Sequence, residues 1–211
     1  MNHVTTLVFI RHGEARDTIG RCVGHTDAGL SAVGAKAITS FANQWRSSDR
    51  ATTVATPTRI VSSDLARAFE SACIIATAWG LPVERDARCR EMNFGVWDGR
   101  PWSAIETKDG VRLRAWTDDW TNVATPGGEG LADVKRRAAS WLDDTLGAAS
   151  HDASVIVVVA HAGWIRAALS RLLDRAPADM FRLPVDYAHA TVVSVGRSGV
   201  ELIASNVAEM P

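Results

Sequence analysis

The chain has 211 residues, 46% of them hydrophobic, and a formal net charge of -1. That is enough chain to bury a full core as one domain, and so even a charge balance excludes whole-surface attraction for nucleic acid or an anionic membrane; any anion site must be a local concentration of Arg and His. Cys22, Cys73 and Cys89 are an odd number without CxxC spacing, and the N-terminus lacks a basic region followed by a signal-type apolar segment, which predicts a reduced, cytoplasmic protein.

In chain order, Thr5 to Ile10 reads as a strand that ends in Arg11, His12 and Gly13, and Arg16 to Gly29 as a Gly-, Asp- and Thr-rich loop. Ser31 caps a helix whose Ile38, Phe41, Ala42 and Trp45 fall at i, i+3, i+4 and i+7. A polar loop follows Trp45. Arg59 to Ser62 is a short strand leading into a helix from Leu65 to Trp79, with Phe69, Ala72, Ile75, Ala76 and Trp79 as its buried stripe and Gly80 as its end. Pro82 to Arg85 is a strand, Arg88 to Arg100 a loop rich in aromatics, and the region near 100–125 an insertion of short helices over the sheet. The turn Pro126-Gly127-Gly128 introduces a helix from Leu131 to Leu146. Val155 to Leu173 is long enough for a membrane span, but His161, Gly163 and Arg166 interrupt it, so it reads as the strand Ser154 to Ala160 and the helix Trp164 to Leu173. Thr191 to Val195 and Val200 to Ile203 close the chain as a hairpin. The alternation predicts an α/β fold, a three-layer αβα sandwich around a mostly parallel sheet.

In such a sheet, sites collect beyond the carboxyl ends of the strands. Three of those ends carry suitable groups: Arg11 and His12; Arg67, in the first turn after the second strand; and His161, where VIVVVAHAG repeats the syntax of LVFIRHG. Each also has a plain structural explanation. Arg67 could pair on the surface with Glu70 or Asp64, His161 could be a core histidine bonded to a carbonyl, and Glu91 in the aromatic loop could pair with Arg88 or Arg90. Together, the three strand ends describe an anion site.

These residues, in this order, resemble the histidine phosphatase superfamily, the phosphoglycerate mutase-like clan. RHGE at 11–14 is similar to its signature, SSDLARAFESA at 62–72 to its second motif, REMNFGVWDG at 90–99 to its acid-bearing loop, PGGEG at 126–130 to the turn before its fourth helix and VVVAHAG at 157–163 to its last motif. GRCVGHTD at 20–27 and the compact length look most like the alpha-ribazole phosphatase branch.

The resemblance implies a metal-independent phosphatase that hydrolyses a small phosphorylated metabolite, with alpha-ribazole phosphate as a candidate. His12 would attack phosphorus as a neutral imidazole. Arg11, Arg67 and His161 would bind the phosphoryl oxygens, with Gly13, Ala162 and His25 as further substrate-binding candidates. Glu91 would protonate the leaving oxygen and then activate water, its carboxyl desolvated by Met92, Phe94 and Trp97. No cofactor or metal is expected, since Arg11 and Arg67 would repel a cation; partners would be the metabolite and a second copy in a homodimer, not nucleic acid or membrane. Alternatives are mutase-type transfer to phosphoglycerate, a non-catalytic phosphate-binding module, and a metal-dependent hydrolase using His12, His161 and Glu91. Ala15, Asp17 and Thr18 depart from the family's Thr or Ser and Asn near the phosphate. Cys22 is expected in an exposed loop, and Trp102, Trp116, Trp120 and Trp164 as core or pocket walls.

Overall fold

The computed structural model describes residues 4–47, 54–148 and 154–211; part of the polar loop expected after Trp45 lies outside them. Six strands form one sheet: β1 (Thr5–Arg11), β2 (Arg59–Ser62), β3 (Val83–Arg85), β4 (Ser154–Ala160), β5 (Ala190–Gly196) and β6 (Gly199–Val207), in the order β3-β2-β4-β1-β5-β6. The first four are parallel, while β5 runs antiparallel to β1 and β6 to β5. The helices are α1 (Ala32–Ser47), α2 (Ala66–Trp79), α3 (Trp102–Asp118), α4 (Leu131–Ala148) and α5 (Ala162–Leu172).

The two-residue alternation of strand side chains divides the core. On one face, Val8 and Ile10 of β1 and Val157 and Val159 of β4 pack with Ile38, Phe41 and Trp45 of α1 and Ile75 of α2. On the other, Leu7, Phe9, Ile156 and Val158 pack with Val134 and Trp141 of α4 and Trp164 and Ile165 of α5. Both faces are covered, which is why β1 and β4 read as continuous apolar runs. Each fully buried aliphatic or aromatic side chain contributes roughly 1.5–3 kcal/mol. Among the described residues, no helix is long and apolar enough to cross a membrane.

Ser31 accepts the Gly34 N–H at 3.0 Å as the cap of α1, and its hydroxyl donates to Glu14 at 2.8 Å, tying that helix to the RHGE turn. Two expectations change. Phe69 of α2 is only half-buried, because it lies beneath the Arg85 guanidinium at 3.4 Å, and Ala68 takes the core position. The expected short helices are there, as two helical pieces of α3 that meet at a kink at Asp109, whose carboxylate accepts the Trp97 indole N–H at 2.8 Å. Cys22 is buried with Trp97 and Ile105, not exposed, and burial pushes its thiol up to about 12.

Candidate active site

Backbone hydrogen bonds beyond the strand ends set the first half of the site. The His12 N–H donates to Ala160 O at 3.0 Å and the Ser63 N–H to Val159 O at 3.0 Å, so His12, Ser63 and His161 stand side by side. The His12 and His161 rings meet edge to face with centroids 4.9 Å apart. Both are sealed, at 5% and 0% exposure.

His12 Nδ1 lies 2.6 Å from Gly13 O, a contact that assigns the proton to Nδ1 and leaves the Nε2 lone pair available. Arg67 Nε donates to that Nε2 at 3.3 Å. Burial, then the Arg67 charge, and to a smaller extent Arg11, hold the His12 imidazole well below its ordinary range, against a smaller opposing effect of Gly13 O. His161 is lowered in the same direction by burial, then by Arg67 and His12, and its Nε2 meets Ser63 Oγ at 2.9 Å. Both imidazoles are therefore neutral near pH 7.

Arg67 is 2% exposed and donates through Nη1 to Thr26 O at 2.8 Å and through Nη2 to Gly24 O at 2.6 Å. It is no surface ion pair: Glu70 accepts the Leu30 N–H, and Asp64 pairs with Arg90. Arg11 donates to Val185 O at 2.8 Å and stacks on Tyr187, with its guanidinium carbon 3.6 Å from the ring centroid. Arg11, His12, Arg67, Glu91 and Tyr187 face a common cleft of about 220 Å³, walled further out by Val23, Phe94 and Trp102. Two guanidinium groups, Arg67 buried and Arg11 half-buried, thus stand around a neutral imidazole, an arrangement whose charge and donors suit a tetrahedral anion.

Glu91 reaches the same cleft from a loop. Its Oε1 accepts the Met92 N–H at 2.9 Å and its Oε2 the Gly163 N–H, in the first turn of α5, at 3.1 Å. A Cβ at position 163 would stand 2.3 Å from Glu91 Oε1, so only glycine admits the carboxylate there. The surface pairings open to Glu91 are taken elsewhere: Arg88 binds Asp86 and Asp144, and Arg90 binds Asp64. Arg137 of α4 donates to Arg88 O, Arg90 O and Glu91 O of this loop and, with its other two N–H groups, to both oxygens of Glu129. Glu129 in turn accepts the Asn93 N–H at 2.8 Å.

The profile of the histidine phosphatase superfamily (branch 1) matches residues 7–208. The chain belongs to that superfamily. It is 35% identical over 191 residues to the glucosyl-3-phosphoglycerate phosphatase of Mycolicibacterium vanbaalenii, which covers 87% of this chain and 77% of the relative. It is 30% identical over 203 residues to the bifunctional protein Rv2228c of Mycobacterium tuberculosis, covering 94% of this chain but 53% of the relative, so it spans about half of that protein's length. The crystal structure of a putative alpha-ribazole-5'-P phosphatase from Escherichia coli superposes with a TM-score of 0.85 over 98% of both chains at 23% identity, a likeness of fold.

Not every residue singled out in this family's motifs faces the cleft. Gly13 stands behind His12: its N–H donates to Ser71 Oγ at 3.1 Å, and a Cβ there would lie 2.5 Å from Gly34 O. His25 turns its Nε2 to Glu91 O at 3.0 Å, supporting the acid loop. Ala162 lines a neighbouring cavity, as do Met92 and Phe94, whereas Trp97 packs against Cys22 and Ile105. Tyr187, Ser63, Ser71, Asp98, Glu129 and Arg137 escape a reading of the sequence. Asp98 draws the 24–26 turn together by accepting the N–H groups of Gly24, His25 and Thr26 and the Thr26 hydroxyl. Tyr187 is the chain's single tyrosine, a signal of a kind, but nothing local ties it to RHGE.

Proposed function

We propose that the protein is a metal-independent phosphatase that hydrolyses a small phosphomonoester through a phosphohistidine. The carrying observation is the unprotonated His12 Nε2, held by the Nδ1 contact to Gly13 O, in a cleft lined by Arg11, Arg67 and Glu91. Arg11 and Arg67 neutralise the phosphoryl oxygens, whose charge is spread over three positions in the transition state. His12 Nε2 attacks phosphorus and the P–O bond to the alcohol breaks, while Glu91 gives its proton to the leaving oxygen. Glu91 then takes a proton from water, whose oxygen displaces His12 from phosphorus and releases inorganic phosphate.

Return of the phosphoryl group to a bound phosphoglycerate would require counter-charges for a second anion beyond Glu91. The wall there is Met92, Phe94, Leu131 and Val134, and the cations nearby are engaged by carbonyls, Arg166 by Leu183 O and Arg21 in the cleft by Gly99 O, so transfer to water is the better-supported reading. Alpha-ribazole phosphate and glucosyl-3-phosphoglycerate, the esters named for its relatives, are the first candidates for a substrate screen.

Rapid alkaline quenching of a turning-over reaction should trap an acid-labile phosphohistidine in the wild type and none in His12→Ala, whose turnover should fall by at least about a thousandfold. EDTA should leave the rate unchanged. Full activity in His12→Ala, or loss of activity to EDTA with recovery on added zinc, would sink this reading.

A further inference from the structure

A second cavity adjoins the cleft and shares Glu91 and Phe94 with it. Its walls are Met92, Phe94, Trp116, Trp120, Leu131 and Val134, drawn from the acid loop, α3 and the segment after it, and α4. Its volume is about 150 Å³. An apolar void of that size, lined by aliphatic and aromatic groups, accommodates one benzene-sized ring. The Trp116 indole N–H, on this wall, has no acceptor among the described residues.

The position of the cavity relative to the acid gives it a meaning. A general acid must lie within hydrogen-bond reach of the oxygen it protonates. On the reading proposed above, on which this inference rests, the leaving oxygen therefore sits at Glu91 and its carbon substituent begins there. From Glu91 a substituent can run outward past Thr18, Arg21, Val23 and Trp102, or into the apolar cavity that the same residue borders. An apolar group gains by leaving water, whereas a carboxylate or second phosphate would lose its hydration to walls that offer it almost no donors. Arg166 is the cation on that wall, and its Nε already donates to Leu183 O at 3.0 Å.

We propose that this cavity is the subsite for the leaving alcohol and that it takes an uncharged, ring-sized apolar group. The favoured substrates are then monoesters of arylalkyl alcohols, ahead of those of short alkyl alcohols or hydroxy acids.

The test compares kcat/KM of the full chain for benzyl phosphate, ethyl phosphate and 3-phosphoglycerate. Benzyl phosphate should exceed each of the others by at least about tenfold, the scale at which a pocket discriminates a few carbons. The benzyl-to-ethyl ratio should fall toward one in Val134→Phe, which fills the cavity, and in Trp116→Leu, which removes an aromatic wall and covers the case in which the first variant does not fold. Equal kcat/KM for benzyl and ethyl phosphate in the wild type, or a ratio unmoved in a folded variant, would overturn the subsite and leave the phosphatase reading intact. Turnover of none of the three would overturn the phosphatase reading instead. The subsite would then be judged by the dissociation constants of benzylphosphonate and ethylphosphonate, whose equality overturns it.

Discussion

His12 and Arg67 on one side and Glu91 on the other line one cleft, with His161 fully buried against His12 and outside the cleft wall, yet they are held by different means. The histidines extend the parallel ladder of β1 and β4, with the His12 N–H on Ala160 O at 3.0 Å, and Arg67 sits in the first turn of a helix packed on the sheet. Glu91 lies in a loop whose regular structure is two single 3-10 turns, Ala87–Cys89 and Gly95–Trp97. That loop is pinned by side chains remote in sequence, chiefly Arg137 and Glu129. The half around His12 thus takes its placement from the backbone ladder of the sheet. The half around Glu91 depends on a few charged groups that can be removed one at a time.

This contrast is open to direct attack. After His12→Ala, the largest effect is expected from Arg67→Lys, because an ammonium cannot reproduce the three contacts to His12 Nε2, Thr26 O and Gly24 O. We expect kcat/KM to fall about a hundred- to a thousandfold, by the same factor for alkyl and aryl phosphates, since the charge it offsets develops whatever the leaving group. Steady-state rates across a leaving-group series check this; a loss confined to poor leaving groups would break the division between the halves. A smaller and selective effect is expected from Arg137→Lys, which leaves some of the carbonyls of Arg88, Arg90 and Glu91 without a donor. Alkyl phosphates should slow by about ten- to a hundredfold and aryl phosphates with good leaving groups hardly at all, since only the former need a well-placed acid. In a Glu91→Gln background, Arg137→Lys should cost almost nothing more. A full additive loss in that background would show that Arg137 supports the fold and not the acid.

The same division governs what could be read from the chain alone. The strand ends were legible because a run buried on both faces that stops at a charge obeys a local rule, and RHG, LAR and AHAG each lie within a few residues of such a stop. The alternation of strand and helix and the bounds of α2, to within a residue, followed from the same periodicity, whereas the strand order β3-β2-β4-β1-β5-β6 did not. The supports of Glu91 were not legible: Arg137 lies 46 residues from the carbonyl it holds, and Asp98 lies 74 residues from the Gly24 N–H it accepts. Contacts of that separation exist only once the topology is fixed, and a helix surface arginine and a cleft-forming one look alike in sequence. Glu91 itself was found through the resemblance of its loop to a family motif. The same limit explains Cys22 and Gly13, whose loop setting hid that one is packed under Trp97 and that the other serves the close approach of the α1 turn.

The mildest test bears on the sealed half. His12 and His161 are both held well below 6.5, their ordinary value, mainly by burial and next by the Arg67 charge. As the medium is acidified through 6.5, the unfolded chain takes up a proton on each, while the folded chain keeps both rings neutral. The unfolded state therefore binds more protons, stability rises with pH in this window, and it is lost as pH falls below 6.5. Each such histidine adds a slope of up to about 1.4 kcal/mol per pH unit, so the pair adds up to about 2.7. Urea unfolding of the wild type and His161→Gln, from about pH 6.5 down to about pH 5, isolates one contribution: the variant's slope should be shallower by an amount that grows toward about 1.4 kcal/mol per unit at the acid end, even if its absolute stability is lower. Inorganic phosphate should flatten the wild-type slope, because a bound dianion favours the charged imidazole and raises the folded-state value toward the unfolded one. Equal slopes in the two proteins would mean that water or a counter-charge reaches His161 in solution, and the claim that the backbone-built half is a sealed, neutral receptor would fail.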